Sequence, residues 1–358
     1  MDKIAIVILN YNGRHFLEMF LPTLQKYSYN YPIYIADNHS KDSSIDFIKN
    51  NFPEINVIIL DKNYGFAAGY NKALSLVEAE YYLLLNSDVE VSKHWLTPML
   101  DLMESNPVIG ACQPKILDYN RREYFEYAGA AGGYIDLLGY PFCRGRLFNT
   151  IEKDFGQYND KVRIFWATGA CMMIRAQLFN KSGGFDDDYF AHMEEIDLCW
   201  RINQMGLEVW YTSESEVYHV GGGTLDDSSS FKTYLNFRNS LLTLIKNDSL
   251  SGLLWKIPAR IVLDIVAGIK FLFSNSYKDS IAVLKADMNV LFSIRKQLKK
   301  RSNSRVRKKS NNCTYSRLLV FSYFFLRIRF FFNLRSIIPN RIVSSAEPFS
   351  KIHSKSQS

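Results

Sequence analysis

The first hundred residues alternate short, unbroken apolar runs with segments of helical periodicity, and this alternation leaves few folds open. Ile4–Leu9 reads as a buried strand, and Arg14–Lys26 places Phe16, Leu17, Phe20, Leu21 and Leu24 at helical spacing. Ile33–Ala36, Val57–Leu60 and Tyr81–Leu85 read as further strands. Between them, helices are expected from an Asp42 or Ser43 cap through Asn51, with Ser43-x-x-Asp46 as a capping box, and over Ala67–Glu78. Strands apolar on both faces that alternate with helices predict an α/β domain with a mainly parallel central sheet and helices on both sides.

In such sheets ligands gather beyond the carboxyl ends of the strands. Those positions hold Asn10-Tyr11-Asn12-Gly13, Asp37-Asn38-His39-Ser40, Asp61-Lys62-Asn63-Tyr64-Gly65 and Asn86-Ser87-Asp88. Turn chemistry supplies some Asn, Asp and Gly, but it does not call for carboxylates at the second and fourth strand ends. Asp88 suits a hard cation, Mg²⁺ or Mn²⁺, whose shell is completed by phosphate and water. Asp37 suits hydrogen bonds from a base edge or a ribose. His219, beside Gly221-Gly222-Gly223, suits Mn²⁺ as a second protein ligand.

Chain length, 358 residues, allows one large domain with appendages, and an apolar fraction of 47% is ample for a core. The run Ile4–Leu9 is too short for a secretory signal, and the five cysteines are spread without a C-x-x-C pair, so a cytosolic or cytosol-facing protein without a zinc site is expected. The net charge of +7 is uneven: no acidic residue lies between Asp287 and Glu347, while Arg295–Lys309 is crowded with Lys and Arg.

The second hundred residues are less regular. Pro107–Ile116 and Phe165–Arg175 read as strand regions, and Gly129–Gly145 as a long loop or hairpin. Helices are expected over Leu178–Lys181 and Glu194–Gln204, the latter closed by Gly206. Val209–Thr212 and Val217–His219 follow as short extended runs. From Phe231 the chain turns helical, over Tyr234–Lys246 and Leu253–Phe273, with too many charges for a membrane span. Leu318–Ile338 mixes Phe and Leu with Arg, as suits a helix lying in a membrane interface.

Glu194 and Glu195 stand side by side at the start of a helix, behind the acidic and aromatic stretch Phe185–Met193. Adjacent carboxylates raise each other's pKa, so such a pair suits proton transfer or cation binding as well as the helix dipole. Asp197 and Arg201, at i,i+4, read as a helix-supporting ion pair.

Over residues 4–225 the chain resembles family 2 glycosyltransferases of the GT-A fold, above all the rhamnosyltransferase-like enzymes of bacterial surface-polysaccharide synthesis. The resemblance is carried, in order, by Ile8-Leu-Asn-Tyr-Asn12, Ala36-Asp-Asn-His-Ser-Lys-Asp42, Asn63-Tyr-Gly-Phe-Ala-Ala-Gly-Tyr-Asn71 and Leu85-Asn-Ser-Asp-Val89. It continues through Thr168-Gly-Ala-Cys171, Gly183-Gly-Phe-Asp186, Glu194-Glu-Ile-Asp-Leu-Cys-Trp-Arg201 and His219-Val-Gly-Gly-Gly223. It implies a GT-A domain over residues 1–230, with a nucleotide-sugar half (1–110) and an acceptor half (111–230), and a helical basic region over 231–358. Donor contacts are implied for Asn10, Asn12, Asp37, Asn38, Asn63, Gly65, Asn71 and Asn86. Acceptor contacts are expected at Trp166, Gly169, Asp186 and Tyr189, the two aromatics by stacking on a sugar, with core packing the equal alternative for Trp166. Asp88 closes a D-x-D-like metal motif whose first acid is Asn86 here, which throws weight onto His219.

The family's Glu-Asp pair is Glu194-Glu195 in this chain, so either is a candidate base, with Glu195 at the aligned position. The implied reaction is inverting transfer of a sugar from a nucleotide-diphosphate donor, of dTDP-rhamnose or UDP-hexose type, to a hydroxyl of a glycan or polyprenyl-linked saccharide. Lipid-linked acceptors favour peripheral residence on the inner, cytoplasmic face of the cell membrane, through Arg295–Lys309 and Leu318–Ile338. The alternative, a sugar-phosphate nucleotidyltransferase, needs a glycine-rich basic loop after the first strand, where this chain has Asn-Tyr-Asn-Gly-Arg-His. The acidic strand ends argue against nucleic acid as a partner.

Overall fold

The computed structural model describes residues 1–221, 229–301 and 313–335. Gly222 and Gly223, residues 302–309 of the basic cluster and residues 336–338 lie outside the described residues. The chain opens with β1 (Asp2–Asn10), α1 (Arg14–Tyr27), β2 (Ile33–Asp37), α2 (Ser44–Asn51), β3 (Asn56–Ile59), α3 (Gly65–Leu74) and β4 (Ala79–Leu85). The alternation is thus realised almost residue for residue, although α3 stops at Leu74 rather than Glu78. At the start of α2, Asp42 Oδ1 accepts from Ser44 N and Oγ at 3.1 and 2.6 Å, while Ser43 makes no cap. Then follow β5 (Val89–Val91), α4 (Thr97–Ser105), β6 (Ile109–Asp118) and four short strands, β7 (Gly133–Ile135), β8 (Pro141–Cys143), β9 (Arg146–Leu147) and β10 (Thr150–Ile151). These four form a separate antiparallel sheet where the sequence suggested one loop or hairpin.

β11 (Lys161–Ile164), β12 (Cys171–Arg175), α5 (Ala176–Lys181), α6 (Glu194–Gln204) and β13 (Glu208–His219) complete the sheet domain. The order of the large sheet is β11-β13-β6-β12-β4-β1-β2-β3, with β5 on β13. The pairs β4-β1, β1-β2 and β2-β3 are parallel, as are β6 and β13, whereas β12 runs antiparallel between β4 and β6. The two short runs expected over 209–219 are one strand, interrupted by a register shift between Thr212 and Glu216. Beyond that shift, Val89 on β5 pairs with His219 on β13, which fixes where Asp88 and His219 meet.

Three long helices follow, α7 (Ser230–Asn247), α8 (Leu250–Phe273) and α9 (Tyr277–Lys300), then α10 (Leu319–Phe324) and α11 (Phe331–Arg335). The sequence reading did not foresee α9. Leu318–Ile338 is not the continuous interfacial helix expected: two short helices flank an irregular turn, and Tyr323 and Phe331 are buried against Phe148, Tyr134 and Phe142 of the small sheet region. Part of the basic cluster also turns inward. Lys300 pairs with Asp186 and Asp188 at 2.6 and 2.7 Å, Lys296 pairs with Asp188 at 2.8 Å, and Arg301 binds the carbonyls of Ile245 and Asp248. Among the described residues all five cysteines are buried free thiols, and no helix is long and apolar enough to cross a membrane.

The joint between α6 and α7 is ionic. Lys246 lies 2.6 Å from Asp186 and 2.9 Å from Asp197, and Arg201 donates to Asp197 at 2.9 Å as the i,i+4 spacing led one to expect. Burial opposes the Asp197 charge, but Arg201 and Lys246 outweigh it and hold its pKa below the ordinary value. Removing one partner of a buried charged network leaves the rest uncompensated. Lys246→Met is therefore expected to lower unfolding free energy by roughly 2–4 kcal/mol, read from urea denaturation. An unchanged midpoint and slope would contradict this.

Candidate active site

A cleft of about 730 Å³ opens at the carboxyl edge of the parallel strands, lined by residues at the ends of β1, β2, β4 and β13, at the start of α6 and on α7. Asn38, Asn63 and Gly65 lie on its wall. Asn38 Nδ2 donates to Asn63 Oδ1 and to the Gly65 carbonyl, both at 3.0 Å, and its Oδ1 accepts from Tyr64 N at 2.9 Å. These bonds shape the β3–α3 turn tightly. Gly65 has φ +73°, and a Cβ there would stand 2.5 Å from the Phe190 ring, so the position suits only glycine.

The Phe190 loop is the most strained backbone near the cleft. Phe190, His192 and Met193 all have positive φ (63°, 69° and 75°) immediately before Glu194, at about 1–3 kcal/mol of strain each. Two clamps hold it. The first amides of α3, Phe66 N and Ala67 N, donate to the Phe190 carbonyl at 2.6 and 3.2 Å. From α7, the buried Asn239 Nδ2 lies within 2.8–3.0 Å of the carbonyls of Tyr189, Ala191 and His192, and Arg238 donates to those of Asp188 and Tyr189.

This loop delivers both glutamates to the cleft wall. Glu194 is almost fully buried and Glu195 half-buried, and one oxygen of each is buried without a hydrogen-bond partner. Burial first, and the Glu195 charge second, push the Glu194 pKa well above its ordinary value. Burial also pushes Glu195 up, to about 7, against the opposing backbone amides of the first turn of α6. The two neighbouring carboxyls therefore titrate as a pair, both pushed upward by burial, with Glu194 the more deeply buried.

On the facing wall, His219 Nε2 lies 3.1 Å from Asp88 Oδ1, and its Nδ1 lies 3.2 Å from Glu126 Oε1. Burial opposes the imidazolium, but Asp88 and Glu126 on either side raise the His219 pKa well above its ordinary value. Burial likewise opposes the Asp88 charge, and His219 outweighs it, holding that carboxyl low. The donor set fits a small divalent cation once His219 gives up its Nε2 proton. The 3.1 Å between Oδ1 and Nε2 matches the edge of about 3 Å expected for an octahedron with ligands at ~2.1 Å, and Glu126 orients the ring from the other nitrogen. Among the described residues no group of three or more protein ligands converges, so phosphate and water would fill the remaining positions.

The sequence-derived site is brought together only in part. Asn38, Asn63, Gly65, Asn86, Asp88, Gly169, Glu194, Glu195 and His219 line the cleft. Asn10 and Asp37 lie beneath it, fully buried: Asn10 Nδ2 donates to Asp37 Oδ1 at 3.0 Å, and Asp37 Oδ2 accepts from Ser40 N at 2.9 Å. Both Asp37 oxygens are therefore engaged, tying the ends of β1 and β2 together. Asn12 is exposed and accepts from Lys41 N at 2.7 Å, clasping two loops.

Four residues need correction. Asn71 does not touch the cleft; it staples the far end of α3 to Phe185 O at 2.8 Å and Asp187 Oδ1 at 2.7 Å. Asp186 is held by Lys246 and Lys300. Trp166 and Tyr189 are core residues, because each finds a partner for its polar atom inside: Trp166 Nε1 donates to Tyr134 O at 2.9 Å, and the Tyr189 hydroxyl meets Thr243 Oγ1 at 2.8 Å. Neither can stack on a sugar. Conversely, Glu126, Arg121, Lys232 and Asn236 line the cleft and were missed. The first two sit in the aperiodic stretch after β6, and the last two on a helix assigned to a separate region.

Residues 5–183 match the family model described as glycosyl transferase family 2. The chain belongs to this family. Glu194, Glu195 and His219 lie past the matched residues. Among relatives, this family 2 chain is similar to the N-acetylglucosaminyl-diphospho-decaprenol L-rhamnosyltransferase of Mycobacterium tuberculosis (strain CDC 1551 / Oshkosh), with 24% identity over 276 residues, covering 72% of this chain and 88% of the relative. It is similar also to rhamnosyltransferase WbbL of Escherichia coli (strain K12), 25% identical over 224 residues, covering 60% of this chain and 83% of the relative. Among solved structures, that of GalNAc-T7 with UDP, GalNAc and Mn²⁺ superposes with a TM-score of 0.54 at 16% identity. The match covers 69% of this chain and 48% of that one, so it spans about half of GalNAc-T7. The fold is the GT-A fold, and the chain is a glycosyltransferase. Neither the family match nor these relatives support the nucleotidyltransferase alternative.

Because Asn239 satisfies three carbonyls of a strained loop, its loss should let the glutamates drift. Asn239→Ala is expected to lower kcat by about 10–100-fold with little change in donor affinity. Its unfolding free energy should fall by about 1–3 kcal/mol. Steady-state kinetics and denaturation on one preparation test both, and normal turnover would refute the assignment.

Proposed function

We propose that this glycosyltransferase inverts the anomeric centre while moving a sugar from a nucleotide-diphosphate donor to a hydroxyl of a glycan or polyprenyl-linked saccharide, at the inner face of the cell membrane. The observation that carries the reading is that the glutamate pair lines one cleft together with Asp88 and His219. The relatives' names support a rhamnosyl donor and, in the mycobacterial case, a lipid-linked acceptor.

In this mechanism Glu195 accepts the proton of the acceptor hydroxyl as that oxygen bonds to the anomeric carbon. The bond from that carbon to the diphosphate oxygen breaks on the opposite face, and the electron pair leaves with the nucleoside diphosphate. Glu194 is the more deeply buried of the two, so its charged form is the more disfavoured and Glu195 is left to exchange the proton. The turn built by Asn38, Asn63 and Gly65 gives the donor a rigid wall, and Arg121 and Lys232 bring positive charge to the same cleft. Mg²⁺ or Mn²⁺ held by Asp88 and His219 would offset the charge that develops on the departing diphosphate.

Glu195→Gln is expected to lower kcat by roughly 10²–10⁴-fold while donor affinity stays near normal; retained turnover would move the base elsewhere. In the intact enzyme, a base titrating at about 7 predicts that kcat/KM falls tenfold per pH unit below that value and levels off above it. A profile flat down to pH 5 would sink the role. Stability should show the opposite dependence. The Glu194 pKa is raised above the unfolded value of 4.5, so the native state binds the proton more tightly and loses stability as pH rises from that value through the folded pKa. Glu194→Gln removes the burden and is expected to raise Tm by a few degrees at alkaline pH and hardly at all near pH 4; a lowered Tm at alkaline pH would contradict this.

A further inference from the structure

The helices α8 and α9 both turn a run of large apolar side chains to the outside of the molecule. On α8 the residues turned inward include Arg260 and Asp264, each 1% exposed. Arg260 lies 3.7 Å over the Tyr140 ring and donates to Ser240 Oγ at 2.8 Å, and the Tyr140 hydroxyl donates to Asp264 Oδ1 at 3.4 Å. This buried polar anchor fixes the rotation of α8 and forces Leu254, Val262, Ile265, Val266, Ile269 and Phe273 outward, where all are exposed. On α9 the exposed apolar residues follow helical spacing, Tyr277, Ile281, Leu284, Met288 and Leu291 with Phe292, and Arg295 and Lys299 then continue the same stripe.

Charge decides what such a face meets. Within 250–300 the acids are Asp264 and Asp287, both buried, and Asp279, which accepts from Thr233 Oγ1 at 2.7 Å. Lys270, Lys278, Lys285, Arg295 and Lys299 are exposed along the hairpin. A second copy would bring these cations against their equivalents with no exposed acid on either helix to pair with. An anionic lipid surface complements them, and it accepts the apolar side chains between them. The position of the face agrees with this. Phe190, on the cleft wall, meets Phe231 edge-on at 5.9 Å, and Phe231 stacks on Tyr234 at 6.2 Å. Thr233, also on the cleft, holds Asp279 in the first turn of α9. The apolar stripe therefore begins at the α7 lip of the active site.

We infer that the outward face of the α8–α9 hairpin docks on the anionic surface of a lipid bilayer, with the cleft opening beside the membrane at α7. For the acceptor this rests on the lipid-linked reading above: a saccharide head enters the cleft while its hydrocarbon tail stays in the bilayer. Within the basic cluster, Lys296 and Lys300 pair with Asp186 and Asp188, while Arg295 and Lys299 belong to the docking face.

The full chain is to be floated with phosphatidylglycerol–phosphatidylcholine vesicles and with phosphatidylcholine vesicles alone, with nucleotide-sugar hydrolysis followed in vesicle-free buffer. Flotation is expected with the anionic vesicles and should weaken at high salt. The double variant Ile269→Glu, Leu284→Glu should lower the partition coefficient at least about tenfold, with hydrolysis unchanged as the check on folding. Lys285→Ala with Lys299→Ala should lower binding to anionic vesicles by roughly 10–30-fold and leave the neutral arm as it was. Undiminished flotation of the glutamate variant overturns the inference. So does a vesicle-free dimer that this variant turns into a monomer while the wild type ignores vesicles. Flotation without donor hydrolysis would instead sink the glycosyltransfer reading and leave the docking face standing.

Discussion

The site depends on one constraint above all, the left-handed backbone at Phe190, His192 and Met193. Without it, α6 would begin elsewhere and its first-turn carboxylates would not reach the cleft. Three positive φ angles in four residues do not persist on local preference. They are imposed from both ends, by the amide terminus of α3 on the Phe190 carbonyl and by Asn239 on three neighbouring carbonyls. The acid pair is therefore placed by tertiary hydrogen bonds, and its shifted proton affinities follow from where that placement buries it.

The opposite wall is placed by sheet register. Val89 stands across from His219 in the ladder, and Val220 N donates to the Asp88 carbonyl at 3.0 Å, so Asp88 and His219 are neighbours by backbone geometry before their side chains interact. The register shift in β13 between Thr212 and Glu216 makes this possible. It lets one strand pair with β11 in its first half and with β5 in its second. The cleft thus has one wall set by a strained loop and another by a bulged strand, with α7 closing the gap between them.

What could be read from the sequence divides along the same line. The strands β1 to β4 and the helices between them announce themselves through local periodicity, and so does α6 between Met193 and Gly206. The residues just past the strand ends, Asn38, Asn63, Asn86 and Asp88, reach the cleft, while Asn10 and Asp37, the last residues of β1 and β2, turn under it and bond to each other. Asn71, Trp166 and Tyr189 carry the same kinds of side chain, but long-range partners claimed them: a turn more than a hundred residues away, the Tyr134 carbonyl and the Thr243 hydroxyl. Glu126 is illegible for a related reason, because its neighbour His219 is brought to it by a strand pairing that no local pattern encodes. The helix α9 carries apolar residues on both sides, Val283, Ala286 and Val290 inward and Ile281, Leu284 and Met288 outward, so it shows no conventional amphipathic pattern.

The α3 terminus belongs to both walls at once. Its amides hold the Phe190 carbonyl, and the turn before it, Asn63 to Gly65, faces the cleft. With no side chain at Gly65, the turn and the Phe190 ring sit in direct contact, and no slack separates them. The two walls therefore keep time together. Any tilt of the turn shifts the loop, and with it the start of α6 and its two carboxylates.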